Sequence, residues 1–374
     1  MPTLEVRGLV KQLGDHRAVD GMSFTVEDGQ FFVLLGPSGC GKTTTLRIVC
    51  GLEHPDAGDV VIGGRVVTSL PSRDRNLGMV FQEYGLYPSM DVFGNMAYGL
   101  QARGGVPKDE IERRIRAAAD RLDLGPLLSS PITDLSGGEQ QRVALGRAMV
   151  KDADAYLFDE PLSNLDPKLR YRLRRDILAL HRDKGRPSVY VTHDQTEAFA
   201  MGDVVAVLAD GRVQQIGPPD ELVDRPANVF VAGFVGSPPM NLLPARLRPV
   251  NGAYVAHGSD GPGGPNGSGT AFSLPSAWSD TLSRYGKEQV TVGIRPDALV
   301  PAADGDAAIT GEVTDVEPLI GETVVRLRTA GRSMAAIFRA GEEGSLAPGD
   351  SVRLDVAPEG LRLFDHDSEQ ALVP

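Results

Sequence analysis

Phe31-Phe32-Val33-Leu34-Leu35-Gly36-Pro37-Ser38-Gly39-Cys40-Gly41-Lys42-Thr43 is an apolar run that passes directly into a glycine-rich loop ending in a lysine and a hydroxyl residue. Five consecutive apolar residues read as a buried strand, and Thr44 to Cys50 reads as a helix. The loop between them fits G-x-x-x-x-G-K-[ST] at every fixed position, in the strand–loop–helix context that the pattern requires. Its glycines let backbone N–H groups point at phosphate oxygens, and the helix start adds partial positive charge. Lys42 then reaches the β- and γ-phosphates, and the Thr43 hydroxyl ligates Mg²⁺. An α/β fold with nucleotide bound at the end of a strand is therefore expected.

Composition narrows what surrounds that loop. The 374 residues allow two or three domains, and 41% hydrophobic with 24% charged residues is ordinary for a globular chain. Lys+Arg 38 against Asp+Glu 50 gives −12, which argues against a nucleic-acid partner. The two cysteines, Cys40 and Cys50, follow no metal or disulfide pattern, so both read as packing residues in a reducing cytoplasm. A thiolate at Cys40 would only repel phosphate. No charged-then-apolar leader opens the chain, and no apolar run approaches the roughly 18–20 residues that span a bilayer. A membrane role therefore depends on partner subunits.

On the N-terminal side, Leu4 to Val10 and Met22 to Val26 alternate like strands of an antiparallel sheet, with turns expected at Gly14-Asp15-His16 and Asp20-Gly21. Gly58 to Ile62 and Arg65 to Val67 flank Gly63-Gly64 as a hairpin. Leu77 to Phe81 is a strand ending at Gln82, and Glu83 to Asp91 is an irregular loop. From Val92 to about Leu128 the pattern is helical, with Pro107 at a first helical position and Ile111, Ile115, Ala119 and Leu122 on one face.

Three further clusters carry chemistry. Ser136-Gly137-Gly138-Glu139 opens a helix as a capping box, but two glycines in a first turn cost on the order of 1 kcal/mol each against alanine. They make sense where backbone approaches an anion, so this is a second phosphate-binding surface. Ala155 to Phe158 is a strand ending in Asp159-Glu160, a carboxylate pair suited to holding Mg²⁺ and taking a proton from attacking water. Ser163 to Asp166 follows, and Asp166-Pro167 starts a helix with Leu169, Leu173, Ile177 and Leu180 on one side. Ser188 to Thr192 delivers His193 at a strand end, with Asp194 and Glu197 in a second capping-box spacing. Val204 to Leu208 and Arg212 to Ile216 close as a hairpin through Asp210-Gly211.

The order of phosphate loop, Gln82, Leu135 to Glu139, Asp159-Glu160, Ser163 to Asp166 and His193 resembles the nucleotide-binding subunit of an ABC transporter over residues 1–235. The resemblance implies a P-loop NTPase core of ABC type, with an antiparallel β subdomain and a helical insert at about 84–150. It implies that Gly36, Ser38, Gly39, Cys40, Gly41, Lys42, Thr43 and Thr44 hold ATP. Gln82 would sense Mg²⁺ and the attacking water, Asp159 would position Mg²⁺, Glu160 would be general base, and His193 would contact the γ-phosphate. Ser136, Gly137, Gly138 and Gln140 would act on ATP held by the other chain of a head-to-tail homodimer. Val19 fits the usual apolar contact with the base. Leu13 stands where the family usually stacks an aromatic ring on adenine, and His16 lies nearby.

From Gly236 onward, alternation at Gln289 to Ile294, Ala308 to Val313, Thr323 to Leu327, Met334 to Phe338, Ser351 to Val356 and Leu361 to Phe364 suggests a small all-β barrel. Gly258 to Gly269 is low-complexity, and residues 236–374 carry 11 Lys+Arg against 18 Asp+Glu, a balance of −7 that disfavours oligonucleotide binding. Phe230 to Asn241 and Gly293-Ile294-Arg295-Pro296-Asp297-Ala298-Leu299 resemble carbohydrate-importer ATPases of the maltose and glycerol-3-phosphate type, in which an OB-like (TOBE) regulatory domain follows the ATPase. That resemblance implies two transmembrane permease subunits docked on Glu83 to Asp91 and the helical insert, an external solute-binding protein, and a peripheral place on the cytoplasmic membrane face. Glu83 replaces the serine expected beside Gln82. The solute is a carbohydrate, or alternatively a polyol phosphate, polyamine or ion; a soluble ABC ATPase outside transport is the reading from another class.

Overall fold

The computed structural model describes residues 3–163, 165–250, 253–258, 271–302, 307–329, 331–339, 341, 344 and 346–373. The chain divides into two compact units, Met1–Pro219 and Asp220–Pro374.

Among its described residues the first unit forms two sheets. β1 (Leu4–Leu13), β2 (His16–Val26), β4 (Ala57–Ile62) and β5 (Arg65–Val66) form an antiparallel sheet in the order β2-β1-β4-β5. Asp20-Gly21 is not a turn, as the sequence suggested, but lies inside β2. The register slips between the pairs Leu9↔Met22 and Val10↔Asp20, so Gly21 (φ 72°) is the extra residue of a bulge, and the strand continues to His16. Gly63 and Gly64 both have positive φ, as the expected two-residue hairpin requires.

The second sheet positions the chemistry. β3 (Phe31–Leu35), β6 (Leu77–Val80), β7 (Ala155–Asp159), β8 (Ser188–Thr192), β9 (Val204–Ala209) and β10 (Arg212–Gly217) run in the order β10-β9-β3-β8-β7-β6. All neighbours are parallel except the β9–β10 hairpin. β3, β7 and β8 are buried on both faces, which explains their unbroken apolar character. The carboxyl ends of β3, β8, β7 and β6 therefore lie along one sheet edge.

Helices flank this sheet: α1 (Lys42–Cys50), α2 (Val92–Arg103), α3 (Lys108–Arg121), α4 (Gly137–Met149), α5 (Pro167–Lys184) and α6 (Gln195–Met201). Pro107 stands just before α3 as its N-cap rather than within it. Ile111, Ile115, Ala119 and Leu122 are buried as expected. Arg75 is a core residue that the sequence did not single out. Its guanidinium donates to Ile48 O, Val49 O, Thr68 O and Leu70 O, which satisfies carbonyls at the end of α1.

Helix Pro219–Asp224, at the unit boundary, and helix Val229–Phe234 precede the second unit's strands, which among its described residues form two antiparallel sheets that share one core. One runs Ala271–Ser273, Ala253–Gly258, Asn241–Val250, Gln289–Ile294, Leu361–Asp365, Ala371–Leu372; the other runs Leu299–Pro301, Ser351–Val356, Ile309–Pro318, Glu322–Thr329, Arg332–Arg339. Each of the six strands read from alternation is present. Asn241–Val250 was missed because Pro244 and Pro249 interrupt its pattern, although Leu243, Ala245 and Leu247 are buried. The compact units divide after Pro219, whereas the sequence reading divided the chain after Val235. The helix Val229–Phe234 belongs with the strands because Ala232 packs on Met240 and Phe364. Residues 259–269 of the low-complexity stretch lie outside the described residues.

Candidate active site

At the end of β3 the chain wraps into a loop whose shape is enforced by its surroundings. A Cβ on Gly36 would stand 2.4 Å from Leu208 O, and one on Gly41 (φ 99°) would stand 2.2 Å from Ala18 O. Both carbonyls are strand backbone, of β9 and β2, and not the end of a flexible side chain, so both positions require glycine. Lys42 is buried at 4% exposure, and its Nζ donates to Gly36 O at 2.8 Å and Pro37 O at 2.9 Å. The cation is thereby held across the loop it belongs to. Pro37, Ser38 and Gly39 form the exposed crest, and Thr43 and Thr44 are half-buried at the start of α1. Burial pushes the Cys40 thiol up despite the neighbouring Lys42, in keeping with a neutral packing residue.

Thr43 Oγ1 donates to Asp159 Oδ1 at 2.8 Å, which joins the phosphate loop to the end of β7. Asp159 is buried, and burial pushes its carboxyl up; the Thr43 hydrogen bond opposes that shift and adjacent Glu160 adds to it. A carboxyl raised in this way gains most from a neighbouring cation. The hydroxyl, the carboxyl and the exposed Gln82 amide after β6 are oxygen donors of the kind that Mg²⁺ selects, so the residues fit this ion.

Glu160 adopts φ 42°, left-handed backbone that costs a side chain on the order of 1 kcal/mol. It is pinned by Glu160 N donating to Val191 O, and by Ser163, whose N–H and hydroxyl both donate to Glu160 O. That turn aims the carboxyl at His193, whose Nδ1 lies 3.1 Å from Glu160 Oε2. With Glu160 ionised, Nδ1 carries the proton and donates. The imidazole is itself exposed.

The loop behind His193 differs from the expected capping box. Asp194 does cap α6, accepting from Thr196 N and Glu197 N. The Glu197 carboxyl, however, turns inward to accept from Tyr190 OH at 2.8 Å and Thr192 Oγ1 at 2.9 Å. Burial and the adjoining Glu197 push the Tyr190 hydroxyl up, so it remains a donor.

Ser136 and Glu139 do form the capping box at the start of α4, with Ser136 N donating to Glu139 Oε2 at 2.9 Å. Among the described residues no hydrogen bond joins this helix start to the Gly36–Thr43 loop. Gln140 Nε2 donates to Leu135 O and Ile132 O, bracing the chain before the helix. Gly137 lies under Tyr84 OH, and Gly138 lies under the Leu169 side chain of α5.

The residues expected beside the base divide. Leu13 is 47% exposed at the end of β1 and pairs across the turn with exposed His16. Val19, expected to touch the base, is fully buried in the core between the two sheets and offers no surface. Sequence reading also missed how Glu83 to Asp91 is held. Arg147 of α4 donates to Tyr84 O and Gly85 O, and buried Asn95 bonds both Tyr87 N and Tyr87 O. The Tyr87 and Tyr98 rings pack tilted against each other, centroids 4.5 Å apart, and remain exposed at that loop.

Three family patterns match the chain: ABC transporter over residues 19–163, MalK OB fold domain over 236–299 and TOBE domain over 292–364. The sn-glycerol-3-phosphate import ATP-binding protein UgpC of Cupriavidus pinatubonensis is 42% identical across 98% of this chain and 98% of its own. The trehalose/maltose import ATP-binding protein MalK of Thermococcus litoralis is 43% identical across 97% of each. A solved dimer of the ATP-binding cassette MJ0796, in a post-hydrolysis state bound to ADP and Pi, covers 57% of this chain and 98% of its own at TM-score 0.53 and 28% identity.

Proposed function

Because the chain belongs to the ABC transporter ATP-binding family, its cassette followed by OB-fold and TOBE domains, we propose that it is the ATP-hydrolysing subunit of a carbohydrate importer. The observation that carries this reading is the convergence of Lys42, the Thr43–Asp159 pair and the Glu160–His193 pair at the carboxyl ends of neighbouring parallel strands. Lys42 and the loop N–H groups bind the phosphates of ATP, and Thr43, Asp159 and Gln82 hold Mg²⁺. The ion's part is to offset phosphate charge. Glu160 takes the proton of the attacking water, and His193, oriented by its bond to Glu160, contacts the γ-phosphate.

Ser136, Gly137 and Gly138 serve the nucleotide of a second copy in a head-to-tail homodimer, and the solved cassette with ADP and Pi is itself a dimer. Two permease subunits dock where Arg147 and Asn95 fix the Glu83 to Asp91 loop and Tyr87 and Tyr98 stand exposed. On this reading the protein lies on the cytoplasmic membrane face and is supplied with solute through an external binding protein. Relatives named for trehalose/maltose and for glycerol-3-phosphate import favour a sugar or polyol phosphate as the solute.

Glu160→Gln tests the reading. The variant should bind ATP with Mg²⁺ as tightly as the parent, accumulate as an ATP-bound dimer on gel filtration, and lose at least about 100-fold in kcat. Rapid hydrolysis by this variant would sink the assignment. Recovery of tagged protein from membranes with two multi-span proteins supports import, and its absence points to a soluble ABC ATPase.

A further inference from the structure

Arg170, on the first turns of α5, takes no part in the mechanism above, yet it faces three elements of the site at once. Its Nη2 donates to Leu165 O at 3.3 Å, on the segment that follows Glu160. Its Nη1 stands 3.7 Å from Asp194 Oδ2, and its Nε stands 3.9 Å from Glu197 Oε1. Nε is buried and makes no hydrogen bond. The Glu197 oxygen facing it is also the one not used by Tyr190 and Thr192, which both donate to Oε2.

The buried guanidinium N–H thus faces an unused carboxyl oxygen across a close ion pair. A cavity of about 40 Å³ is lined by Glu160, Ser163, Arg170, His193, Asp194 and Glu197. The cavity adjoins both members of the Glu160–His193 pair. Asp194 and Glu197 in turn govern His193, since Asp194 follows it directly and Glu197 holds Thr192, the residue before it.

We propose that Arg170 is a positioning residue for hydrolysis: through Leu165 O on one side, and through its ion pairs with Asp194 and Glu197 on the other, it fixes the segment after Glu160 against the loop that carries His193. This rests on the assignment of Glu160 and His193 to ATP hydrolysis. Arg170 touches neither nucleotide nor reacting water, so its removal alters the angle between base and histidine and leaves ATP binding intact. A charge alone is insufficient, because the planar guanidinium must face Leu165 O, Asp194 and Glu197 at once.

The test is steady-state ATPase kinetics on the full-length protein carrying Arg170→Met, Arg170→Lys, His193→Ala and the Arg170→Met/His193→Ala pair, with Glu160→Gln as reference. Arg170→Met should lower kcat about 10-fold or more with KM for ATP within about twofold of the parent, and Arg170→Lys should recover only part of that loss. Adding Arg170→Met to His193→Ala should cost nothing further, because the arginine works through that loop. A melting temperature measured alongside separates folding from positioning. An unchanged kcat in folded Arg170→Met, or losses that multiply in the double variant, would overturn the proposal. If Glu160→Gln itself keeps its rate, the reading of the site falls instead, so the two failures are told apart.

Discussion

At Gly36 and Gly41 an added Cβ would collide with backbone carbonyls of β9 and β2, whereas at Gly138 it would meet only Leu169 Cδ2, at 2.4 Å. Two glycine-rich stretches that look alike in sequence thus have different physical bases. The phosphate loop is glycine-rich because its own fold leaves no room. The start of α4 is hemmed in by the end of a flexible side chain that can rotate away, and its glycine sits in a first helical turn where alanine is favoured by roughly 1 kcal/mol. Packing within one chain therefore does not require Gly138. The proposed use, backbone approach to a nucleotide on another copy, does.

Mixing two damaged chains puts that difference under the largest strain. Lys42→Ala cripples the phosphate loop and Gly138→Asp places a carboxyl on the second surface, so each alone should lose at least about 100-fold in ATPase. In a head-to-tail dimer the mixed pair has one site with both faults and one with neither. Equal mixing should then restore about a quarter of parental activity, half the dimers being mixed with one working site each. No recovery in chains shown to exchange would mean that both surfaces serve the same chain's nucleotide.

Single glycine replacements sharpen the contrast at the next scale. Gly41→Ala forces a side chain into positive φ and against Ala18 O, and should destabilise by at least about 2 kcal/mol, roughly 4–8 °C in melting temperature. Gly138→Ala should leave the melting temperature within about 2 °C while lowering ATPase about 10-fold. Equal loss of stability in both would return Gly138 to a packing role.

The smallest effect concerns charge. Asp159 has its folded value raised by burial, so its stabilising contribution is complete below the ordinary aspartate value near about 4 and is lost as pH rises through the raised value. At neutral pH without nucleotide or Mg²⁺ the ionised carboxyl is a cost. Asp159→Asn keeps an acceptor for Thr43 and should melt about 2–4 °C higher at pH 7, with the difference vanishing in acid, while its ATPase falls. A lower melting temperature at pH 7 would show that the Thr43 bond outweighs burial.

Much of this was legible in the chain itself. Short-range chemistry determined the phosphate loop, the apolar strands β3, β7 and β8, the Gly63-Gly64 hairpin and the Ser136 capping box, because each depends on residues a few positions apart. The second capping-box spacing shows where such reading stops. Asp194 and Glu197 repeat the pattern of Ser136 and Glu139, yet Glu197 turns inward, because β8 offers it two hydroxyl donors in a buried setting and Glu139 sits at the surface. Val19 became core rather than binding surface for a similar reason: the second sheet closes over it. Only the tertiary structure decided that Arg75 closes α1, that Leu169 covers Gly138, and that Arg170 reaches the His193 loop. Those contacts join segments that the sequence leaves unpaired, and burial sets which donor meets which acceptor.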